Sequence, residues 1–388
     1  MWEFIFWAGI LITGYTYVGY GVVITLLAAL KSKKGDMETG GELFEPPVSV
    51  IIAAYNEEDY IEKKAENTLG LDYPASKKEI IFVTDGSTDS TPDLLQKVDG
   101  VKVMHKPGRS GKIAAMERAA EQASNPILIF TDANAMLNKE AIRNIVKHYA
   151  DPRVGAVAGE KSIMMLDEED ASGAGEGIYW KYESYLKKKD FETYSVVGAA
   201  GELFSVRKEL YEPVEPDTLL DDFIMTLRVA EKGFRVAYAP DAVASERPSA
   251  SSLDEMTRKV RIAAGGIQSI VRLKSLLNPF KHGMLTFQYV SHRVLRWTIA
   301  PLMLPLIFAS NFMLHLSQGG FYTILFILQI LFYIFSALGY LFESKRVRIK
   351  LFFVPYYFSL MNICVYLGAV RYFRGGQSVN WKRAKRAK

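Results

Sequence analysis

PILIFTDAN, residues 126–134, is the stretch on which the reading of the chain turns. Ile127 to Phe130 form an unbroken apolar run that passes straight into Thr131, Asp132, Ala133 and Asn134. A short continuous apolar run ending in an acid reads as a buried parallel strand that stops at a ligand site. Ligands of open α/β sheets sit beyond the carboxyl ends of the strands. Asp132 and Asn134, two apart at such an end, can hold a divalent cation through side-chain oxygens. A polar strand-end turn without a ligand is the plainer reading of these residues alone.

Outward from this stretch the pattern alternates strand and helix. Strands are predicted over 48–54, 79–84 (ending at Asp85), 101–105, 126–131 and 154–159. Helices are predicted over 58–69, 111–123 and 139–149, with a further one begun by Thr91 as cap and Pro92 at its first position; Asn138 caps the helix over 139–149. Such alternation implies a doubly wound, mostly parallel sheet. An aromatic, charged helix over 176–189 follows, then a less regular segment over 196–207. Asp221 and Asp222 open a helix over 221–232 that Gly233 stops, and 234–239 is a strand.

The chain has 388 residues, a net charge of +4 and 49% hydrophobic residues, and the apolar residues concentrate at the two ends. So small a net charge does not point to nucleic acid, and the basic residues cluster beside apolar segments, as at a membrane surface. Cys364 is the one cysteine, which excludes an intrachain disulfide. Residues 1–31 form an apolar segment long enough to span a bilayer, too long and without the basic leader of a signal peptide, so a retained N-terminal transmembrane helix is expected. Lys31, Lys33 and Lys34 behind it place the following domain in the cytosol, after a linker over 32–47. The soluble domain covers 48–250, and basic amphipathic helices over 251–296 suit the membrane interface. Two spans occupy 297–343, and the basic loop behind them is cytosolic by charge. Residues 344–388 hold an interfacial or third C-terminal membrane helix and a basic tail; three spans in all and a cytosolic C-terminus are expected. The protein is thus expected to be a multi-pass protein of the cell inner or plasma membrane.

Three acids fall at comparable places: Asp85, Asp132 and Asp222. Between the first two, Gly108-Arg109-Ser110-Gly111-Lys112 opens a helix. Glycines there let backbone N–H groups approach a phosphate, and the helix N-terminus favours the anion. With the two strand-end acids, this points to a nucleotide diphosphate site.

The order VSVIIAAYNEE, VTDGSTDST, KPGRSGKIAA, FTDAN, LLDDF and RKVRIAAGG resembles the membrane-embedded family 2 glycosyltransferases, the synthases of cellulose, hyaluronan, chitin and poly-N-acetylglucosamine. The resemblance runs from the first strand to the basic helix. It implies a cytosolic GT-A fold, Rossmann-like and mostly parallel, between N- and C-terminal transmembrane helices. It also implies a nucleotide-sugar donor, usually a UDP-sugar, inversion at the anomeric centre, and Mg²⁺ or Mn²⁺. By the same resemblance Ala53, Tyr55 and Glu57 line the nucleobase pocket, Asp85 contacts the nucleoside and Lys112 lies near the diphosphate. Asp132 opens the metal-binding Asp-x-Asp, Asp222 is the general base and Arg261 the arginine of Gln-x-x-Arg-Trp. Gly198 to Arg207, with Gly198 and Gly201, resembles the acceptor side, where Arg258 also falls. Trp381 sits where related synthases carry a gating loop; a basic tail on anionic lipid is the other reading.

Three departures from the family pattern matter. Asn134 replaces the second metal acid; an amide oxygen ligates without charge, so metal affinity should fall. Leu220-Asp221-Asp222 keeps the base of Thr-Glu-Asp, and Arg258-x-x-Arg261-Ile262 loses the family's acceptor-side aromatic. Arg293-x-x-Arg296-Trp297 fits the letters better, but at the mouth of a span these residues read as membrane-interface anchors. Three functions fit: a processive polysaccharide synthase, which would need a partner subunit or homo-oligomer to form a channel; a transferase adding one or a few sugars to a glycan or lipid-linked acceptor; and a nucleotide-sugar-binding partner or sensor. Retention of Asp85, Asp132 and Asp222 argues against the last.

Overall fold

A computed structural model describes residues 1–32, 44–163, 171–247, 252–344 and 349–375. Its sheet contains β1 (Val48–Ala54), β2 (Lys78–Asp85), β3 (Lys102–Lys106), β4 (Ile127–Asp132), β5 (Met136–Leu137), β6 (Val154–Ile163), β7 (Leu203–Arg207) and β8 (Arg235–Glu246). The strand order is β3-β2-β1-β4-β7-β6-β8-β5. β1 pairs in parallel with β2 and β4, and β2 with β3. Helices cover both faces, so Val48, Val50, Ile51 and Ile52 of β1 are buried irrespective of the face they point to. On one face lie Ile113 and Met116 of helix Lys112–Gln122 with Phe223 and Leu227 of helix Asp221–Glu231. On the other lie Ile61 and Ala65 of Ile61–Leu69 with Ile142 and Ile145 of Ala141–Val146.

The order of the first four strands reverses at β1, which opens a crevice between the carboxyl ends of β1 and β4. Register sets Ala53 level with Asp132 and Ala54 level with Thr84, so Asp85 and Asp132 reach the same edge, as expected. The sheet is GT-A-like and mostly parallel in this half. Its other half is mixed: β7 runs antiparallel to β4 and β6, while β6 and β8 are parallel. β7 brings Leu203 opposite Thr131, and the Thr131 hydroxyl donates to the Glu202 carbonyl at 2.8 Å.

Two expected caps do other work. Ser90, not Thr91, precedes helix Thr91–Gln96, and the Thr91 hydroxyl accepts the Glu57 N–H at 2.8 Å, tying the loop after β1 to the loop after β2. Asn138 is not the cap of helix Ala141–Val146, which Glu140 precedes; its amide instead accepts the Val243 N–H and donates to the Asp241 carbonyl. The reason is shared. A short polar side chain beside a neighbouring loop finds unpaired amides there as readily as in its own helix.

Four helices are long and apolar enough to cross a membrane: Trp2–Lys31, Ile299–Gln318, Gly320–Glu343 and Leu351–Phe373. The N-terminal one is interrupted by a π-helical turn, Tyr15–Gly19, and a second π turn, Val290–Val294, faces it; Tyr15 and Ser291 hydroxyls meet at 2.8 Å. Such turns often mark functional positions. Helix Ser252–Arg272 joins the sheet domain to the last helix. Space at Gly265 is closed by Leu220 on one side, and at Gly368 of the last helix a Cβ would lie 2.7 Å from Ala263.

The N-terminal helix is fastened to the sheet domain by polar groups. Tyr20, fully buried, donates to Asp190, whose other oxygen lies 2.6 Å from His292 Nδ1 and whose carbonyl accepts Gln288 Nε2 at 2.7 Å. Tyr20→Phe leaves a buried carboxylate oxygen short of its donor. The expected loss is about 1–3 kcal/mol, read as a lower melting temperature of the full-length protein in detergent.

Candidate active site

The crevice at the sheet edge continues into a cavity of about 830 Å³. Ala53, Tyr55 and Glu57 from the end of β1, and Asp85 from β2, line it. So do Lys112, Asp132, Asn134 and Gly201. Asp222, Arg258 and Arg261 complete the predicted residues found there. Gly198 does not line it. Its φ of +89° and a Cβ that would overlap the Phe223 ring make it a structural turn beside Ala199 and Ala200, which do line the cavity. Trp381 lies outside the described residues.

Two amides of the Gly-rich turn are held within the protein. Ser110 and Gly111 N–H groups both donate to Asp85 Oδ2 at 2.6 Å, so the anion held at this helix start is the protein's own carboxylate. Arg118 lies 3.5 Å from Asp85 Oδ1, an oxygen that otherwise has no hydrogen-bond partner. Gly86, with φ +69°, packs so tightly on Arg109 that a Cβ would come within 2.6 Å of it. Arg109 in turn lies 3.8 Å over the Tyr55 ring. Arg109 and Tyr55 therefore form a stacked planar wall of the cavity.

Lys112 is the electrostatic centre of the acids. Its Nζ is 2.9 Å from Asp132 Oδ1 and 3.8 Å from Asp221 Oδ2. Burial pulls this ammonium down, but Asp132, Asp221 and Asp222 outweigh it and raise its pKa above the ordinary lysine value. A Cβ at Gly201 would stand 3.5 Å from Asp222 Oδ2 and 3.7 Å from Lys112 Nζ, so this glycine borders the space between base candidate and cation. Burial first, then the neighbouring Asp221 charge, push the Asp222 carboxyl up to about 7, against the pull of Lys112. Arg261 Nη1 donates to the Leu219 carbonyl at 3.3 Å, and its charge is felt by Asp221, Asp222 and Asp132.

Asp132 and Asn134 are the residues that could hold a metal. Both face the cavity, and the Asn134 side chain makes no hydrogen bond to a described residue. Among the described residues no group of three or more His, Cys, Asp or Glu side chains is arranged as a metal site. One carboxylate, one amide oxygen and the oxygens of a diphosphate match the way Mg²⁺ is usually held in phosphate sites. The turn itself is set by Lys64, fully buried, which donates to Thr131 Oγ1 at 3.1 Å and to the Ala135 carbonyl. Burial lowers the Lys64 pKa to about 7.

Sequence reasoning missed the far wall of the cavity. Glu183 and Lys187, both 2% exposed, stand on helix Ala171–Thr193. Arg293 is 2.6 Å and Arg296 3.2 Å from Glu183, and Trp297 packs on Phe223 at 5.4 Å between ring centroids. Arg293, Arg296 and Trp297 are therefore cavity residues held inside the protein, not membrane-interface anchors. The only local signal was the Arg-x-x-Arg-Trp spelling; Glu183 is 110 residues away from Arg293 and gave none. The Asp85 clasp is testable alone. Asp85→Asn should weaken it by roughly 1–2 kcal/mol, seen as about tenfold faster hydrogen exchange at the Ser110 and Gly111 amides.

Residues 49–214 match the family model described as Glycosyl transferase family 2. The chain is 27% identical over 232 residues to beta-monoglucosyldiacylglycerol synthase of Synechocystis sp., covering 58% of this chain and 48% of that one. It is 27% identical over 234 residues to poly-beta-1,6-N-acetyl-D-glucosamine synthase of Staphylococcus aureus, covering 58% and 56%. The matched region thus spans about half the length of these curated relatives. In fold it is similar to the mannosyltransferase PcManGT from Pyrobaculum calidifontis, solved with GDP-Man and Mn²⁺, with a TM-score of 0.72 over 97% of this chain and 100% of that one at 22% identity. Strand order, the acids at one sheet edge and the family match agree: residues 49–214 are a glycosyl transferase family 2 domain.

Proposed function

We propose that the protein is an inverting glycosyltransferase that moves a sugar from a nucleotide sugar, UDP-linked, to a glycan or lipid-linked acceptor at the membrane. The observation that carries this is the meeting of Asp132, Lys112 and Asp222 around Gly201 at the sheet edge. The family of the domain and the nucleotide sugar and Mn²⁺ named for the Pyrobaculum calidifontis structure support the reading. The named products of the curated relatives, a glucosyldiacylglycerol and a poly-N-acetylglucosamine, support a glycolipid or polysaccharide context. The sheet domain is cytosolic in this reading, with the apolar helices at the two ends of the chain holding it at the inner or plasma membrane.

Tyr55 and Arg109 form a planar wall suited to a nucleobase, and Asp85, which also lines the cavity, is the acid assigned to the nucleoside side. The acceptor hydroxyl attacks the anomeric carbon as Asp222 takes its proton, and the nucleoside diphosphate leaves from the opposite face. Lys112 and Arg261 balance the charge that gathers on that leaving group. Mg²⁺ or Mn²⁺ held by Asp132 and Asn134 would add Lewis-acid stabilisation of the diphosphate.

Asp222→Asn should cut transfer by about 10²–10⁴-fold while nucleotide-sugar binding persists; near-normal turnover would sink the base assignment. A base whose pKa is raised is protonated below it. The wild-type rate should therefore climb as pH passes through about 7 and level off above, with the residual rate of Asp222→Asn flat across that range. Asn134→Asp adds a charged ligand. The Mn²⁺ concentration for half-maximal nucleotide-sugar binding should fall by about tenfold; an unchanged requirement would remove Asn134 from the metal site.

A further inference from the structure

The cavity reaches well beyond the acids. Its other end is lined by Tyr17 and Val18 of the N-terminal π turn and by Val354, Phe358, Met361 and Val365 of helix Lys350–Phe373. Val18 is 66% and Val354 55% exposed while both line the cavity, so the mouth opens on the outer faces of two helices apolar enough for a bilayer. Tyr17 bridges them, donating to Asn362 Oδ1 at 2.7 Å and packing on Phe358 at 4.9 Å.

Cations line the same cavity. Lys161 pairs with Glu202 and Glu246, Arg258 with Glu246 and Glu255, Lys259 with Glu255, and Arg293 and Arg296 with Glu183. Lys187 differs. It is 2% exposed, lines the cavity, and has no carboxylate within ion-pair distance among the described residues. Its ammonium instead lies 5.9 Å from the Trp180 ring and 6.0 Å from the Tyr238 ring. Two aromatic faces offset only part of the cost of taking an ammonium out of water, and an anion is the partner that such a site lacks.

We infer that this part of the cavity is a subsite for a membrane lipid carrying a phosphate, which enters sideways between the N-terminal and last helices and sets its phosphate on Lys187. An apolar mouth together with a buried cation that pairs with no carboxylate among the described residues matches a lipid, whose phosphate sits where chain meets headgroup. The binding stands on the cavity alone; that this lipid is the sugar acceptor rests on the transferase reading above.

The full-length protein, purified in neutral detergent, is loaded with radiolabelled dioleoyl phosphatidate or dioleoylglycerol and passed through gel filtration. Wild type should retain about one phosphatidate per chain and little dioleoylglycerol. Lys187→Gln should retain at least about tenfold less, Lys187→Arg close to the wild-type amount, and inorganic phosphate at roughly 10 mM should not displace the lipid. Val354→Trp, at the exposed mouth, should also lower retention and serves if Lys187→Gln does not fold. Equal retention of the two lipids, undiminished retention by Lys187→Gln or by Val354→Trp, or displacement by inorganic phosphate would each overturn the inference. Nucleotide-sugar binding with Mn²⁺ is measured on the same preparations. Its presence without phosphatidate retention fells only the lipid subsite, and its absence with retention fells only the transferase reading.

Discussion

A carboxylate with 2% exposure cannot stay charged inside a protein unless cations surround it. Glu183 meets that demand with the Arg293 and Arg296 guanidiniums and with a His292 ring nitrogen 3.4 Å away, which outweigh its burial and hold its pKa well below the usual carboxylate range. Seven residues further along the same helix, Asp190 takes Tyr20 and the other nitrogen of His292. These two acids draw together the N-terminal helix, the helix that crosses the cavity and the segment before the second apolar helix. The soluble domain is therefore keyed to the membrane helices by groups that are costly to separate. The position of the cavity mouth follows from that joint.

The chemistry lies on the other side of the same cavity and depends on strand topology. Parallel strands deliver Asp85 and Asp132 to one edge; the antiparallel return of β7 then lays Gly201 and Glu202 against the end of β4. Lys112, on the next helix, is the counter-charge that lets Asp132, Asp221 and Asp222 share a small volume. Asp85 has a structural duty as well, since it closes the Gly-rich turn with its own carboxylate. A turn that reads as an anion cradle thus holds its shape through an anion already in the chain.

Most of the sheet and much of the site were legible because both are local. An apolar run ending in Asp132 announces a buried strand and its ligand edge in nine residues. The first strand was predicted over the residues that form β1, and Asp85, Lys112, Asp132, Asp222 and Arg261 all line the cavity. The misreadings share a cause. Thr91 and Asn138 act on neighbours that are distant in sequence: the Glu57 amide and the β8 backbone. Local rules assign such residues to their own helix or loop, because nothing in the string shows what packs beside them.

The amino-acid sequence by itself determined the alternating strands and helices, the apolar terminal helices and the acids at strand ends, since periodicity and burial on both sheet faces dictate them. Only the tertiary structure decided the antiparallel β7, the capture of the Gly-rich turn by Asp85, and the far wall built from Glu183, Lys187, Arg293 and Arg296. Those features arise where charged side chains from separate elements must find partners once they leave water. The opening stretch, PILIFTDAN, shows the division. Its strand and its acid follow from its letters, whereas the lysines that hold it, Lys64 behind the turn and Lys112 in front, come from elsewhere in the chain.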